Sequence, residues 1–310
     1  MGRTSISWTD HTINPGIYGC SPAGPGCRNC YAARLAPRLV GQGLYPESIT
    51  QGQRWTRKVM VDRDRIKPAF AKLPKKKAAR VFVTSMGDLF HEAVPFEFIA
   101  QVLEEVARRP HLTFLLLTKR PQQAYEFWKW QVYQPRRPTW PENAWLGISC
   151  STQADLDRMA PVMIDLPAWH FLSLEPLLER ITVARHLEPS RIRWVIVGGE
   201  SGPGARPTHP AWVRGVRDEC VGARVPFHFK QWGEWGPIHG TGKLDSSEED
   251  EAAPYTWLSL TGERHGSGLP PDALMLRQGA KRAGRLLDGQ VWHQVPEVIA
   301  STTGRGGGNA

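Results

Sequence analysis

Six short apolar, β-branched runs punctuate the chain, and each ends in polar residues or glycine. ARVFVTSMGDLF (79–90) closes on Ser85, Gly87 and Asp88, and LTFLLLTKRP (112–121) on Thr118, Lys119 and Arg120. AWLGISCST (144–152) closes on Ser149 and Cys150, WHFLSLEPL (169–177) on Ser173 and Glu175. IRWVIVGGESG (192–202) closes on Gly198, Gly199 and Glu200, and VPFHFKQWGEW (225–235) on Lys230 and Gln231. Continuous apolar runs of this length suit strands buried on both faces, as in a parallel sheet. The stretches between them read as helices. FEFIAQVLEEVARRP puts Phe96, Ile99, Val102, Leu103 and Val106 on one stripe and stops before Pro110. QADLDRMAPVMIDLP and HPAWVRGVRDECVGARV carry weaker versions of that period. Run ends at 88, 118, 149, 173, 198 and 230 lie 24 to 32 residues apart, the spacing of repeated βα units. The segment ahead of Cys20 offers one more strand. The expected class is α/β: a TIM-like parallel β/α barrel, complete or partial, opened by a three-cysteine loop. In such a barrel the polar run ends share the face that carries active sites. Turn and cap chemistry accounts for Ser85, Thr118 and Ser149 but not for Glu175, Glu200 and Lys230.

Composition narrows the class. The chain has 310 residues, 41% of them apolar, enough for one large barrel or two ordinary domains. No run of eighteen apolar residues occurs, so no membrane span is expected. The start, MGRTSISWTDHT, has no basic stretch followed by an apolar one, so no secretory signal is expected, and the location expected is cytoplasmic. Thiols stay reduced there. The cysteines number five, an odd count, and three of them cluster as C-x6-C-x2-C in CSPAGPGCRNCY, which favours a metal or redox site over disulfides. Pro22, Gly24, Pro25 and Gly26 keep the stretch between Cys20 and Cys27 a loop, with Gly19 as a flexible entry. Zinc normally takes four ligands, so a zinc site needs a fourth from His11 or Cys150. An iron–sulfur cluster is the other thiolate-held centre. Three cysteines leave one iron of a four-iron cluster without a protein ligand. Cys220 sits in a helical stripe and reads as a small apolar core residue.

Charge adds a partner. The formal net charge is +9, from 39 basic and 30 acidic residues. Arg54 to Arg80 holds eleven Lys or Arg and two Asp, a local excess equal to that of the whole chain. The stretch is either a solvated face or a polyanion contact. Trp55 within RWTRK favours nucleic acid, because an aromatic among cations can stack on a base. The opposite bias lies at 245–251, DSSEEDE.

A three-cysteine loop opening an α/β barrel resembles the radical S-adenosylmethionine superfamily. The stretches SWTDHTINPGIYGCSPAGPGCRNCYAARLA, RVFVTSMGDLFHEAVP, LLLTKRP, WLGISCSTQADLDRM, FLSLEPLL, VIVGGESGPGARPTHPAWVRGVRDEC, PFHFKQWGEW and AGRLLDGQVWHQVP resemble the phage-associated three-Cys-motif family. That family occurs in phages and bacteria and has no established activity. The likeness runs from about residue 5 to 297 and misses mainly 235–275. It implies a 4Fe-4S cluster on Cys20, Cys27 and Cys30, with S-adenosylmethionine chelated by the open iron and cleaved by one electron from an external donor. It departs from the superfamily pattern: the first gap is six residues, Tyr31 follows the third cysteine, and the GGE motif falls after a late strand. On this basis Ser85 and Asp88 are expected at the amino end of the cofactor. Glu175 or Glu200 is expected at the ribose hydroxyls, and the 198–204 loop, GGESGPG, with Gly198 and Gly199, at the ribose or a substrate phosphate. Lys119 and Lys230 are the candidate catalytic side chains, holding the cofactor carboxylate or an anionic substrate. The alternative reading of Lys230 and Glu200 is an ion pair with each other. Trp232 and Trp235 either roof the cavity or pack its rim. The expected domains are a barrel over 1–237, a variable acidic insertion over 238–275, a C-terminal segment packing on the barrel over 276–297, and a disordered tail over 298–310. Two functions stand open: a radical enzyme modifying or repairing a nucleic acid or nucleotide, with a nucleic-acid contact through 54–80, or a non-enzymatic, zinc-stabilised nucleic-acid-binding protein. Oligomeric state is not readable.

Overall fold

The computed structural model describes residues 4, 6–133, 139–187, 192–238, 255–266 and 272–297. All six apolar runs are strands, and the segment ahead of Cys20 supplies a seventh. β1 (His11–Ile13), β2 (Ala79–Val83), β3 (Leu112–Thr118), β4 (Ala144–Ser149), β5 (His170–Leu174), β6 (Ile192–Gly198) and β7 (Phe227–Gln231) form one sheet in chain order. Every neighbouring pair is parallel. The sheet is a partial TIM-like barrel with β1 and β7 as its edges.

Helices return the chain between strands: α1 (Tyr31–Gly41), α2 (Ile66–Ala71), α3 (Phe96–Ala107), α4 (Pro121–Val132), α5 (Gln153–Ile164), α6 (Ala184–Leu187) and α7 (Pro210–Gly222). Their starts are chemically set. Thr152 accepts from the Asp155 amide at 3.2 Å, and His209 accepts from the Ala211 amide at 3.0 Å, each satisfying an orphan donor of the first turn. The α3 stripe buries Phe98, Ile99, Val102, Leu103 and Val106.

Successive strand residues face opposite sides, so the sheet has two cores. The outer one, beneath the helices, holds Val81, Phe114, Leu146, Ile148, Leu172, Val195 and Phe229, together with Cys150 and Cys220. The inner one is aromatic: Phe82, Trp145, Phe171 and Trp194, joined by Leu115, Ile196 and Trp8. Gly147 faces the Phe171 ring, and a Cβ there would stand 2.4 Å from two ring carbons. Gly147→Ala is therefore expected to cost about 1–3 kcal/mol by overpacking, read as a lower thermal midpoint with the fold retained.

The open side is bridged by chain ends. Ser7 Oγ lies 2.9 Å from His228 Nε2 on β7, and Trp8 packs on Phe82 at 4.7 Å between centroids. The far edge of β7 is covered by the C-terminal segment: the Phe229 amide donates to Trp292 O at 2.9 Å and the Gln294 amide to Phe227 O at 3.1 Å. Beside it stands a small antiparallel sheet of β8 (Trp235–Pro237), β9 (Tyr255–Leu258), β10 (Arg264–His265) and β11 (Ala273–Arg277). The acidic run 245–251 and the tail 298–310 lie outside the described residues. No helix among the described residues is long and apolar enough to cross a membrane.

Candidate functional site

The alternation that builds two cores also builds a pocket. On the inner face of each strand, aromatic or aliphatic residues give way to polar ones toward the C-terminal end. Phe82 precedes Thr84, Leu117 precedes Lys119, Trp145 and Gly147 precede Ser149, and Phe171 precedes Ser173 and Glu175. The polar tier, Glu200, Lys230 and the three clustered cysteines line one cavity of about 450 Å³. Its size falls in the range of small-molecule sites.

Cys20, Cys27 and Cys30 are free, partly exposed, and line the same cavity. Pro25–Cys27 makes one tight turn, and α1 starts at Tyr31, directly after Cys30. The loop lies hard against the barrel, because a Cβ on Gly26 would stand 2.1 Å from Ser151 Oγ. The Ala23 amide donates to Cys27 Sγ at 3.4 Å. Burial pushes the Cys20 thiol up to about 12, with the nearby Asp88 charge adding to it. Cys150 is fully buried in the outer core, since Ser149 takes the inward position and Cys150 the outward one. His11 sits on the same face of β1 as the outer-core residue Ile13, and neither His11 nor Cys150 lines the cavity. Neither expected fourth zinc ligand is therefore in place. Among the described residues, no three His, Cys, Asp or Glu side chains form a group fit for a single metal ion.

Asp88 lines the cavity, but its carboxylate is engaged within the protein. Oδ1 accepts from the Phe90 amide at 3.0 Å and the Thr118 hydroxyl at 2.8 Å. Oδ2 accepts from the Lys119 amide at 3.1 Å and meets Arg120 Nη1 at 3.2 Å. Arg120 in turn donates to the Ser21 carbonyl at 2.8 Å and the Ser21 hydroxyl at 2.9 Å, beside Cys20. Asp88 thus ties two strand ends to the cysteine loop, where a free acceptor for an ammonium was expected. Ser85 stands at the cavity rim, its carbonyl accepting from the Tyr31 hydroxyl. Thr84, just before it, holds φ at +63, a conformation β-branched residues rarely take. Such outliers cluster at functional sites.

Glu200 is buried and does not pair with Lys230. It meets Arg206 at 2.6 and 2.8 Å and accepts from Asn29 Nδ2 at 3.0 Å. Burial alone would raise its pKa, but the Arg206 and Asn29 hydrogen bonds outweigh that and hold it below the ordinary carboxylate range. Asn29 lies between Cys27 and Cys30 and also donates to Gly204 O at 2.7 Å. Arg206 reaches Pro25 O at 3.1 Å, and Arg34 of α1 reaches Ser201 O at 2.7 Å. The glycine-rich loop therefore clasps the cysteine loop. Gly199 lines the cavity, and its lack of a side chain admits the Trp232 carbonyl, which a Cβ would meet at 1.8 Å. Gly198 makes room for Glu175 Oε1, 2.5 Å from where its Cβ would be.

Lys230 pairs with Glu175 at 2.9 Å, reaching it across Gly198 of the intervening strand β6. Lys119 Nζ donates to Ser149 Oγ at 2.5 Å and has no acidic partner among the described residues. Trp232 and Trp235 neither roof nor line the cavity: both are buried and donate to the Leu286 and Ala205 carbonyls. Trp8 Nε1, Thr84 Oγ1 and Gln231 Oε1, all on cavity-lining residues, are buried with no hydrogen-bond partner among the described residues. Buried polar atoms are nearly always satisfied, so these three suit a bound group.

The description of a family of proteins of unknown function, DUF5131, matches residues 3–296. The chain belongs to the DUF5131 family. That description carries neither an activity nor a phage association. No curated protein matches this DUF5131 chain. Among solved structures it is similar to a spore photoproduct lyase double mutant with bound AdoMet and dinucleoside spore photoproduct, at 10% identity and a TM-score of 0.41, over 89% of this chain and 70% of that one. A single mutant of spore photoproduct lyase gives 12% and 0.43, over 89% and 71%. Likeness at that level says nothing of substrate or cofactor.

Several residues of the DUF5131 site escaped the sequence reading. Ser21, Asn29 and Arg206 act by holding loops, and no spacing marks them. Trp55, singled out only as an aromatic among cations that can stack on a base, lines the cavity itself.

Proposed function

We propose that this protein is a radical S-adenosylmethionine enzyme acting on a nucleic acid or nucleotide, with a 4Fe-4S cluster held by Cys20, Cys27 and Cys30. One observation carries the reading: three free thiols of a single loop line the same cavity as the polar tier at the C-terminal ends of a parallel sheet. The donor set is three soft sulfurs, which suits iron–sulfur clusters. The three unsatisfied polar atoms suit a bound cofactor or substrate beside them. A cluster with one iron free of protein ligands would supply an electron for reductive cleavage of the bound sulfonium, chemistry no side chain provides.

The residues have separable duties in this reading. The thiols give up protons on loading, Cys20 against the pull of its burial. Glu200, Asn29 and Arg206 hold Cys27 and Cys30 in place; Asp88, Arg120 and Ser21 hold Cys20. Ser85, fixed by Tyr31, meets the amino end of the cofactor, while Asp88 supports that loop from below. Lys119 brings an ammonium that meets no acid among the described residues, for a carboxylate or phosphate. Glu175, steadied by Lys230, faces hydroxyl groups. The aromatic floor excludes water beneath them.

The test is anaerobic reconstitution with iron and sulfide, chemical reduction, and product analysis. Loaded, reduced protein is expected to release 5′-deoxyadenosine and methionine from S-adenosylmethionine, slowly even without substrate. Colourless protein carrying stoichiometric zinc, or loaded protein that releases no 5′-deoxyadenosine, overturns the reading.

A further inference from the structure

The basic stretch 54–80 is continuous in sequence but divided in space. Lys75, Lys76 and Lys77 immediately precede β2, so they stand at the N-terminal ends of the strands, opposite the cavity. The preceding carbonyl, Pro74 O, is held there by His111 Nε2 at 2.9 Å, just ahead of β3. The other end of the stretch is at the cavity. Thr50–Gln51 and Arg54–Trp55 form a tight hairpin turning at Gly52, whose φ is +55. Its base is fixed by the Thr56 amide to Ile49 O at 3.0 Å and the Thr56 hydroxyl to Ser48 O at 2.7 Å. The hairpin abuts the cysteine loop: a Cβ on Gly19 would meet Lys58 O at 2.2 Å and Ile49 side-chain atoms at 3.3 Å. Trp55 lines the cavity and remains part-exposed, while Arg54, Arg57 and Lys58 around it are exposed. Among the described residues these three cations make no ion pair, unlike Arg80, which meets Asp10 at 3.3 Å.

We infer that the substrate is a single-stranded or extruded nucleotide of a polynucleotide, its base stacked on Trp55 and its flanking phosphates on Arg54, Arg57 and Lys58. The inference rests on the enzymatic reading above and names that site's substrate class. An indole at a cavity mouth offers a π-face to any base, and cations beside it track the backbone. A cavity of about 450 Å³ above an aromatic floor is of small-molecule size and too small for a duplex. Chemistry on a nucleotide in such a site requires it to leave the stack. The lysines at 75–77 cannot share that strand's path, because the barrel stands between.

The test is fluorescence anisotropy with labelled single-stranded DNA and RNA 12-mers, the matching duplexes and a mononucleotide, across a salt series. Wild type is expected to prefer single strands. Trp55→Ala should weaken them roughly tenfold through lost stacking, and Trp55→Phe should retain most affinity. The triple variant Arg54→Gln, Arg57→Gln, Lys58→Gln should lower the log–log salt slope by about 2, at roughly 0.7 per lost phosphate contact. Neutralising Lys75, Lys76 and Lys77 should leave slope and affinity unchanged. The DNA and RNA arms decide which polymer binds more tightly. Equal binding of single strand and duplex, an unchanged slope in the hairpin triple, or loss of slope only in the 75–77 triple overturns the inference. So does Trp55→Ala if it weakens S-adenosylmethionine but not oligonucleotides. These readouts need no turnover, so their failure is distinguishable from a failure to release 5′-deoxyadenosine.

Discussion

Serine in place of Cys20, Cys27 or Cys30 is expected to remove nearly all iron and the brown chromophore, whereas serine at Cys150 or Cys220 removes neither. The contrast follows from where the sulfurs point. The first three are partly exposed on one cavity wall, held by a loop that the barrel grips at Gly26, Asn29 and Ser21. The other two are fully buried in the outer core, among Leu, Met and Val side chains. A three-thiolate centre that loses one ligand keeps two, too few for a cluster that also keeps an iron open. Replacing the buried pair instead places a hydroxyl among apolar groups and costs stability, about 1–3 kcal/mol for each unsatisfied group. Iron and sulfide analysis together with thermal denaturation separate the two effects. Full iron retention in Cys20→Ser would sink the cluster assignment. Loss of iron in Cys150→Ser, without loss of fold, would mean a fourth protein ligand and no open iron.

The seven-strand frame was legible because each βα unit repeats the same grammar, an apolar run, a polar end, then a helical stripe. What the grammar hid was the inner face. In an ordinary half-exposed sheet the alternation of apolar and polar residues shows which side each residue takes. Here Trp145, Phe171 and Trp194 fill the barrel, so both faces are apolar and the runs read as uniform. Counting back from the polar ends by twos recovers the assignment: Lys119 aligns with Leu117 and Leu115, and Ser149 with Gly147 and Trp145. The same count sends Cys150 outward.

The partners of the charged residues were less legible. Glu200 follows β6 and Lys230 lies on β7, the next strand, so order alone suggests pairing them. Glu200, however, lies beyond its strand, inside GGESGPGAR, where the chain doubles back and delivers Arg206 to it. Glu175, on the strand before, is the carboxylate that reaches Lys230 across Gly198, where no side chain intervenes. The division of 54–80 had a readable sign. A cation run just before a strand belongs to the opposite end of a parallel sheet from residues just after one, and Lys75–Lys77 directly precede β2.

Asp88→Asn is expected to lower the thermal midpoint by roughly 5 °C, equivalent to about 3 kcal/mol in a chain of this size. An amide keeps the shape of the carboxylate but presents two donors where four donors now converge: the Phe90 and Lys119 amides, the Thr118 hydroxyl and Arg120. Arg120 is 8% exposed, so its charge would lose its buried counter-ion and keep only the partly exposed Glu92 at 2.8 Å. Glu92→Gln provides the internal contrast. It removes the other acid on the same guanidinium, but that carboxylate is mostly in water, and the change should stay within about 1 kcal/mol. The loss at Asp88 also reaches the cysteine loop, because Arg120 carries the Ser21 hydrogen bonds beside Cys20. Iron content should therefore fall with stability in Asp88→Asn and hold in Glu92→Gln. An unchanged midpoint with full iron and weakened S-adenosylmethionine binding, by calorimetric titration, would instead make Asp88 a cofactor ligand and the four hydrogen bonds to it incidental.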